Sequence, residues 1–372
     1  MYKSLAYDPK HALNAICPYF TMFPLEYPLR VLNKHRDKDA IVFDPFCGRG
    51  TTIYAARSLG LTAWGVDTSP IAVAIAKAKL ASAKLEDILA LAEKFIGREP
   101  KHIPDTSFFR KAYHTRTLAE LCSLREGLLQ IRKETSESAL LRATALGCLH
   151  GPLTKSKESA GYFSNQMPRT FSSKPDYSIK YWKNNDLKAP RVKVYDVLKR
   201  KLSRISTFEE EPLSSPDQIL CMNSCLKTSY KTLPKNISVV VTSPPYYGMN
   251  TYIQDQWLRM WFLGGPETVD YINDSQIDHN GQDAFIQDLA SVWKNISKSK
   301  AEDLHLYIRF GSVPSKSSDA KIILKSSIEE VKGLQILSVR NAFDAHSGKR
   351  QADQMAPGSQ AAEEFDFHVV RA

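Results

Sequence analysis

The sequence lacks the marks of several function classes. Its six cysteines are scattered over 372 residues and form no CxxC pair. Cys221 and Cys225 stand close together, but no second pair completes a zinc spacing, which argues against a structural metal. Thiols without a pairing pattern suit a reducing compartment. No stretch approaches the ~18 apolar residues of a membrane span. The first ten residues, Met1 to Lys10, hold no apolar signal core, so a cytoplasmic protein is expected. There is no internal repeat or low-complexity tract. Acidic residues are also short, 40 Asp and Glu against 50 Lys and Arg, giving a net charge of +10 and a pI near 9.1. That balance favours a polyanionic partner and says nothing about fold. Hydrophobic residues make up 43% of the chain, enough for a sizeable core. The length allows one large domain with an insertion, or two domains.

What is present centres on Thr242-Ser243-Pro244-Pro245-Tyr246. It follows an apolar β-branched run, Ile237 to Val241, that reads as a buried strand. Two prolines cannot continue a central strand, because they lack the N–H that the ladder needs. The strand therefore stops, and its carboxyl end carries a stiff loop. In an open α/β sheet that edge is where ligands bind. Ser243 offers a hydroxyl, Pro244 a carbonyl in a fixed direction, and Tyr246 a ring. These parts suit a planar group bearing an NH2, although a plain Pro-Pro turn at a strand end gives the same residues.

A second cluster lies early in the chain. The apolar run Ala40 to Phe43 is followed by Asp44-Pro45-Phe46-Cys47-Gly48-Arg49-Gly50-Thr51-Thr52 and then a helix-forming stretch. Strand, glycine loop, helix is the nucleotide-binding unit of a doubly wound sheet. The loop has no Lys-Ser/Thr pair after its glycines, so it is not a phosphate-cradling P-loop, and it lacks the third glycine of the dinucleotide fingerprint. Asp44 instead puts a carboxylate where a cationic amino group can sit. The next strand, Thr62 to Asp67, ends in an acid 19 residues after Gly48, where a ribose diol is held. Thr68-Ser69-Pro70 then opens a helix, with Ser69 at the N-cap and Pro70 at N1, read as running to Phe95.

The two clusters together resemble the S-adenosylmethionine-dependent DNA amino-methyltransferases of the cytosine-N4 and adenine-N6 family, with their S/D/N-P-P-Y/F and D-P-F-x-G-x-G motifs. The resemblance covers residues 17–100 and 217–370. It implies a class-I methyltransferase fold, an α/β Rossmann-like mixed seven-stranded sheet, and S-adenosylmethionine as cofactor. Cofactor contacts are then expected from Asp44, Phe46, Gly48, Gly50, Thr51, Asp67, Thr68 and Asn223. Ser243, Pro244, Pro245 and Tyr246 are the expected catalytic residues. In that family a segment such as Cys17-Pro18-Tyr19-Phe20 to Leu32 closes over the methionine end of the cofactor. Methylation at carbon 5 of cytosine needs a thiolate in a Pro-Cys pair. This chain has only the reverse, Cys17-Pro18. A prokaryotic restriction–modification or defence setting, with a cognate protein partner, is what the family implies.

Between the two clusters the α/β rhythm stops, at about 101–216. Helices are expected near 107–133, 137–149 and 191–204. Residues 150–205 hold thirteen Lys or Arg against four acids, with Tyr, Phe, Trp, Asn and Gln interleaved. Lys and Arg neutralise phosphates, while Asn, Gln and Arg read base edges. A charge run is also the mark of a merely solvated face. The domain reading is a catalytic domain of 1–100 and 217–372, with 101–216 an inserted, largely helical, DNA-contacting region. Double-stranded DNA is the expected partner, through Arg169, Lys174, Lys183 and Arg191 and through a polar loop with Lys349 and Arg350. Further strands are expected at 217–222, 304–310, 335–340 and 365–370, the last two an antiparallel pair. Helices are expected at 256–263, 283–297 and 318–331.

Ser243 points to the N4 amine of cytosine, since Ser stands at this position in most cytosine-N4 enzymes and Asp or Asn in most adenine enzymes. Adenine N6, an RNA or protein amino group, and a catalytically silent DNA-binding module remain as alternatives.

Overall fold

The chain is described by a computed structural model covering residues 9–19, 24–36, 39–151, 160–164, 175–205, 213–248, 253–269, 281–312, 319–342 and 363–372. Seven strands form one sheet: β1 (Ile41–Asp44), β2 (Thr62–Asp67), β3 (Ile219–Cys221), β4 (Val239–Thr242), β5 (His305–Gly311), β6 (Leu334–Asn341) and β7 (Glu364–Arg371). Their order is β3-β2-β1-β4-β5-β7-β6. The first five are parallel, and β7 runs antiparallel between β5 and β6. This is the mixed seven-stranded class-I methyltransferase sheet expected from the sequence.

The strands are apolar on both faces because both faces are covered. Successive side chains point to opposite sides. Val42, Val239 and Val241 enter one apolar cluster, while Phe43 and Val240 enter the other. The second cluster is completed by α11 (Gln282–Ile296) and α12 (Ala320–Glu329), through Phe285, Trp293, Ile323 and Leu324. The first is far larger. It holds α1 (Glu26–Leu32), α2 (Thr51–Ser58), α3 (Pro70–Ala78), α4 (Leu85–Ile96) and α10 (Ile253–Phe262). Trp257 and Trp261 of α10 are core residues, as their helical spacing suggests.

The helix read from Pro70 to Phe95 is two helices. Arg57 of α2 donates to the Lys79 and Ala81 carbonyls, at 2.9 and 2.7 Å, and so takes up carbonyls that a continuing helix would use. The Ser82 N–H goes to the Ser136 hydroxyl. Residues 101–216 contribute α5 (Ser107–Ala112), α6 (Thr115–Leu129), α7 (Ser136–Cys148), α8 (Pro175–Asn184) and α9 (Val194–Leu202). Of these, α6, α7 and α9 pack on α3 and α4, and α5 packs on α8. Phe163 and Trp182 are fully buried. Part of the aromatic content that distinguishes this region in the sequence is therefore core, shared with the rest of the chain. Among the described residues no helix is long and apolar enough to cross a membrane. No cluster of His, Cys, Asp or Glu there could hold a metal.

Candidate cofactor and base site

Strand order brings the two sequence clusters together. β1 lies between β2 and β4, all parallel, so Asp44, Asp67 and the loop after Thr242 leave the sheet at one edge. The clusters touch directly. Thr242 Oγ1 donates to Asp44 Oδ1 at 2.7 Å, and the Phe46 N–H donates to the same oxygen at 3.1 Å. Asp44 is 1% exposed. Burial pushes its carboxyl up to about 6, against the opposing pull of the Thr242 and Thr52 hydroxyls and the Phe46 N–H.

Asp67 is held by the loop it faces. Its Oδ2 accepts the Gly48 N–H at 2.9 Å and its Oδ1 the Ser69 N–H at 2.8 Å. Burial raises its pKa, and the Ser69, Gly48 and Thr68 N–H groups hold it back. The turn between them is tight. Gly50 N–H donates to the Cys47 carbonyl at 2.7 Å. Gly48 and Gly50 have φ of +48° and +77°. A Cβ on Gly50 would lie 2.9 Å from the Ala76 Cβ, whereas one on Gly48 would meet nothing closer than 4.0 Å. Gly50 therefore lets α2 approach α3, and Gly48 borders open space of the kind a ligand needs. Two carboxylates at adjacent strand ends and an open glycine suit a nucleoside with a ribose diol and a cationic amino group.

The N-terminal stretch reaches the same place, with the Tyr19 hydroxyl donating to Ser69 Oγ at 3.5 Å. Thr51 opens α2 and is buried, Thr68 is exposed beside Asp67, and Phe46 lies edge-on to Trp293. Asn223 follows β3, which lies next to β2. It is exposed, and its Oδ1 accepts the Cys225 N–H at 2.9 Å.

In the loop after β4, Ser243 and Pro245 are half-buried and Pro244 is buried. Tyr246 turns inward. It is 8% exposed, edge-on to Phe310, and its hydroxyl donates to Glu364 Oε1 at 3.0 Å. The Ser243 hydroxyl lies beside the same phenol and works against the upward push of burial and Glu364 on its pKa. Most of the ring is thus committed to the core, and its hydroxyl ties the loop after β4 to a carboxylate on β7. Sequence reasoning missed Glu364, which carries no motif. It also passed over Thr242, although Thr242 begins the motif it used. Of the stretch Tyr247 to Tyr252, a candidate lining for a base pocket, Tyr247 is half-buried and edge-on to Phe285, and residues 249–252 lie outside the described residues.

Of the basic residues expected to meet DNA, Lys183 is exposed on α8. Arg191 is engaged within the protein. Its guanidinium binds Glu120 of α6 and donates to Thr117 Oγ1 and the Val192 carbonyl. Arg169, Lys174, Lys349 and Arg350 lie outside the described residues. Exposed on the helical region are also Lys180, Lys188, Lys193 and Lys199, together with Tyr177, which stacks on Tyr181.

Comparison with known proteins gives three findings. A family model described as DNA methylase matches residues 2–78, the part that carries the glycine loop and Asp67. No curated protein matches the chain. Among solved structures it is similar to the rRNA methyltransferase aviRa from Streptomyces viridochromogenes, at 12% identity and a TM-score of 0.34, over 99% of this chain and 94% of that one.

Proposed function

We propose that this chain is an S-adenosylmethionine-dependent methyltransferase acting on an exocyclic base amine in DNA, the N4 amine of cytosine. One observation carries the reading: the Thr242–Asp44 hydrogen bond, which joins the Ser-Pro-Pro-Tyr loop to the Asp44–Asp67 loop pair at one sheet edge. The match of residues 2–78 to DNA methylases supports it. When bound, the cofactor supplies an electrophilic methyl group on a sulfonium.

The chain's own residues do the rest. Asp67 accepts from the ribose hydroxyls, and Asp44 faces the ammonium. The target base leaves the stack to reach the sheet edge. Its amine is a weak nucleophile, because the lone pair is conjugated with the ring. Ser243 Oγ and the Pro244 carbonyl each accept one N–H, drawing the hydrogens out of the ring plane and localising the lone pair. Tyr246, anchored on Glu364, holds the loop that carries Ser243, and the serine keeps its lone pairs for the amine. Catalysis is orientation and electrostatic preorganisation, with no covalent enzyme intermediate. The 101–216 region supplies the basic surface for the duplex, through Lys183 and the exposed lysines around it.

Incubation of the protein with DNA and labelled cofactor, followed by mass spectrometry of the digested DNA, tests this. N4-methylcytosine is expected. N6-methyladenine alone would overturn the base assignment and keep the mechanism. Label in RNA or protein but not in DNA would overturn the substrate class.

A further inference from the structure

The inward face of α8 is set by Ser178 and Trp182, both fully buried, with the Trp182 ring 5.3 Å from that of Phe108 on α5. Its outward face carries Tyr177, Lys180, Tyr181 and Asn184. Their i, i+3, i+4, i+7 spacing puts them on one side of the helix. A solvated face needs only polar residues. Yet Tyr177 is 56% exposed, and of the large apolar side chains that stand exposed among the described residues it is the one aromatic.

The ring is backed by the core. Tyr181 packs against the larger apolar cluster. Tyr177 lies nearly parallel to it, with 6.4 Å between ring centroids and 21° between planes. Lys180, Lys183 and Lys188 stand exposed along the same stretch, with Asp176 and Asp186 the exposed acids there. Over residues 150–205 the basic excess is thirteen to four. Lysines suffice for phosphates, which offer no flat surface to a ring. A ring set among lysines gains by stacking on a base face, whatever the base. In an intact duplex those faces are already stacked on one another. Drawing the target base out of the stack, as the proposed chemistry requires, leaves base faces open.

We propose that Tyr177, backed by Tyr181, is a stacking platform for an unpaired base, so that α8 holds locally opened DNA in preference to intact duplex. This rests on the proposed DNA substrate and adds a selectivity within it.

Fluorescence anisotropy with the full chain and three labelled probes of one sequence tests it: an intact DNA duplex, the same duplex with one unpaired central base, and an RNA copy of the second. The wild type is expected to bind the second about fivefold or more tightly than the first. Tyr177→Ala should abolish that preference, weakening the second by about fivefold or more and the first by less than twofold. Its melting temperature and S-adenosylhomocysteine affinity should not change, since the side chain stands outside the core. Tyr177→Trp should keep the preference, because an indole also stacks. Lys180→Gln should weaken both DNA probes by the same factor. Equal wild-type affinity for the two DNA probes, or equal losses on both in Tyr177→Ala, overturns the platform and leaves the methyltransferase reading standing. Binding to neither DNA probe, whether or not the RNA is held, overturns the DNA substrate and this inference with it.

Discussion

Asp44 carries a pH signature that follows from its burial. Its folded pKa near 6 lies above the ordinary carboxylate value. The folded state therefore holds the proton longer than the unfolded one, and stability falls as pH rises from about 4 through 6. The loss is about 3 kcal/mol for a shift of this size. An ammonium beside the carboxylate reverses the balance. S-adenosylhomocysteine affinity should rise between pH 5 and 7, with proton release near pH 6 that calorimetry in buffers of different ionisation heat detects. Asp44→Asn should flatten that profile, weaken binding, and raise the melting temperature of the free protein at pH 7.5. Ser243→Ala should fold and bind cofactor yet lose transfer by on the order of 10²–10³-fold, the effect of deleting one preorganised partner. Tyr246→Phe keeps the ring and removes the bond to Glu364. It should cost about 1–3 kcal/mol in denaturant unfolding, because a buried carboxylate loses its donor. If Tyr246→Phe left both stability and turnover unchanged, the phenol would have no part in holding Ser243.

Among the elements, the two glycines of one turn should respond differently to the same change. Gly50→Ala meets a left-handed φ and the body of α3, and should cost roughly 2–5 kcal/mol, strain and overpacking together. Gly48→Ala has room for its methyl group. It should cost about 1–2 kcal/mol but weaken ligand binding, as the methyl occupies the open space. Thermal melts with and without S-adenosylhomocysteine separate the two. The sequence made this turn legible because Asp44, the glycines and Asp67 fall at short, regular distances. β2 has the bounds its pattern predicts, Thr62–Asp67. The break between α3 and α4 was not legible, because alanine-rich periodicity continues through it and the Arg57 and Ser136 contacts that end α3 come from elsewhere in the chain. Glu364 was hidden for the same reason: its partner Tyr246 lies 118 residues away.

For the molecule as a whole, the net charge of +10 predicts a strong salt dependence of DNA binding. Replacing exposed Lys180, Lys183, Lys188 and Lys199 by Glu should lower DNA affinity and make the slope of log K against log salt shallower. The change is about 0.9 for each lysine that meets a phosphate. Cofactor affinity should not change, and an unaltered salt slope would show that this face stays solvated. This region was less legible in the sequence than the sheet was. Composition marked it as basic and aromatic, but could not distinguish Trp182, which is core, from Tyr177, which is exposed.

The position of β7 also fixes an order in time. Of the seven sheet strands it is the last to be synthesised, yet it pairs with both β5 and β6. Arg309 on β5 binds Asp366 through two hydrogen bonds of 2.7 and 2.9 Å, and Arg371 donates to the Ala301 carbonyl. Until β7 arrives, the outer edge of β5 and the whole of β6 are unpaired, and such edges invite aggregation. A nascent chain arrested at residue 360 should hold a protease-resistant body built on β1 to β4, with β5 and β6 still open to cleavage. That chain would also lack Glu364, so Ser243 and Tyr246 would be in place before the carboxylate that steadies them. On the proposed function, the loop that grips the cofactor would be complete before β7 is made, and the Ser-Pro-Pro-Tyr loop would be braced only afterwards.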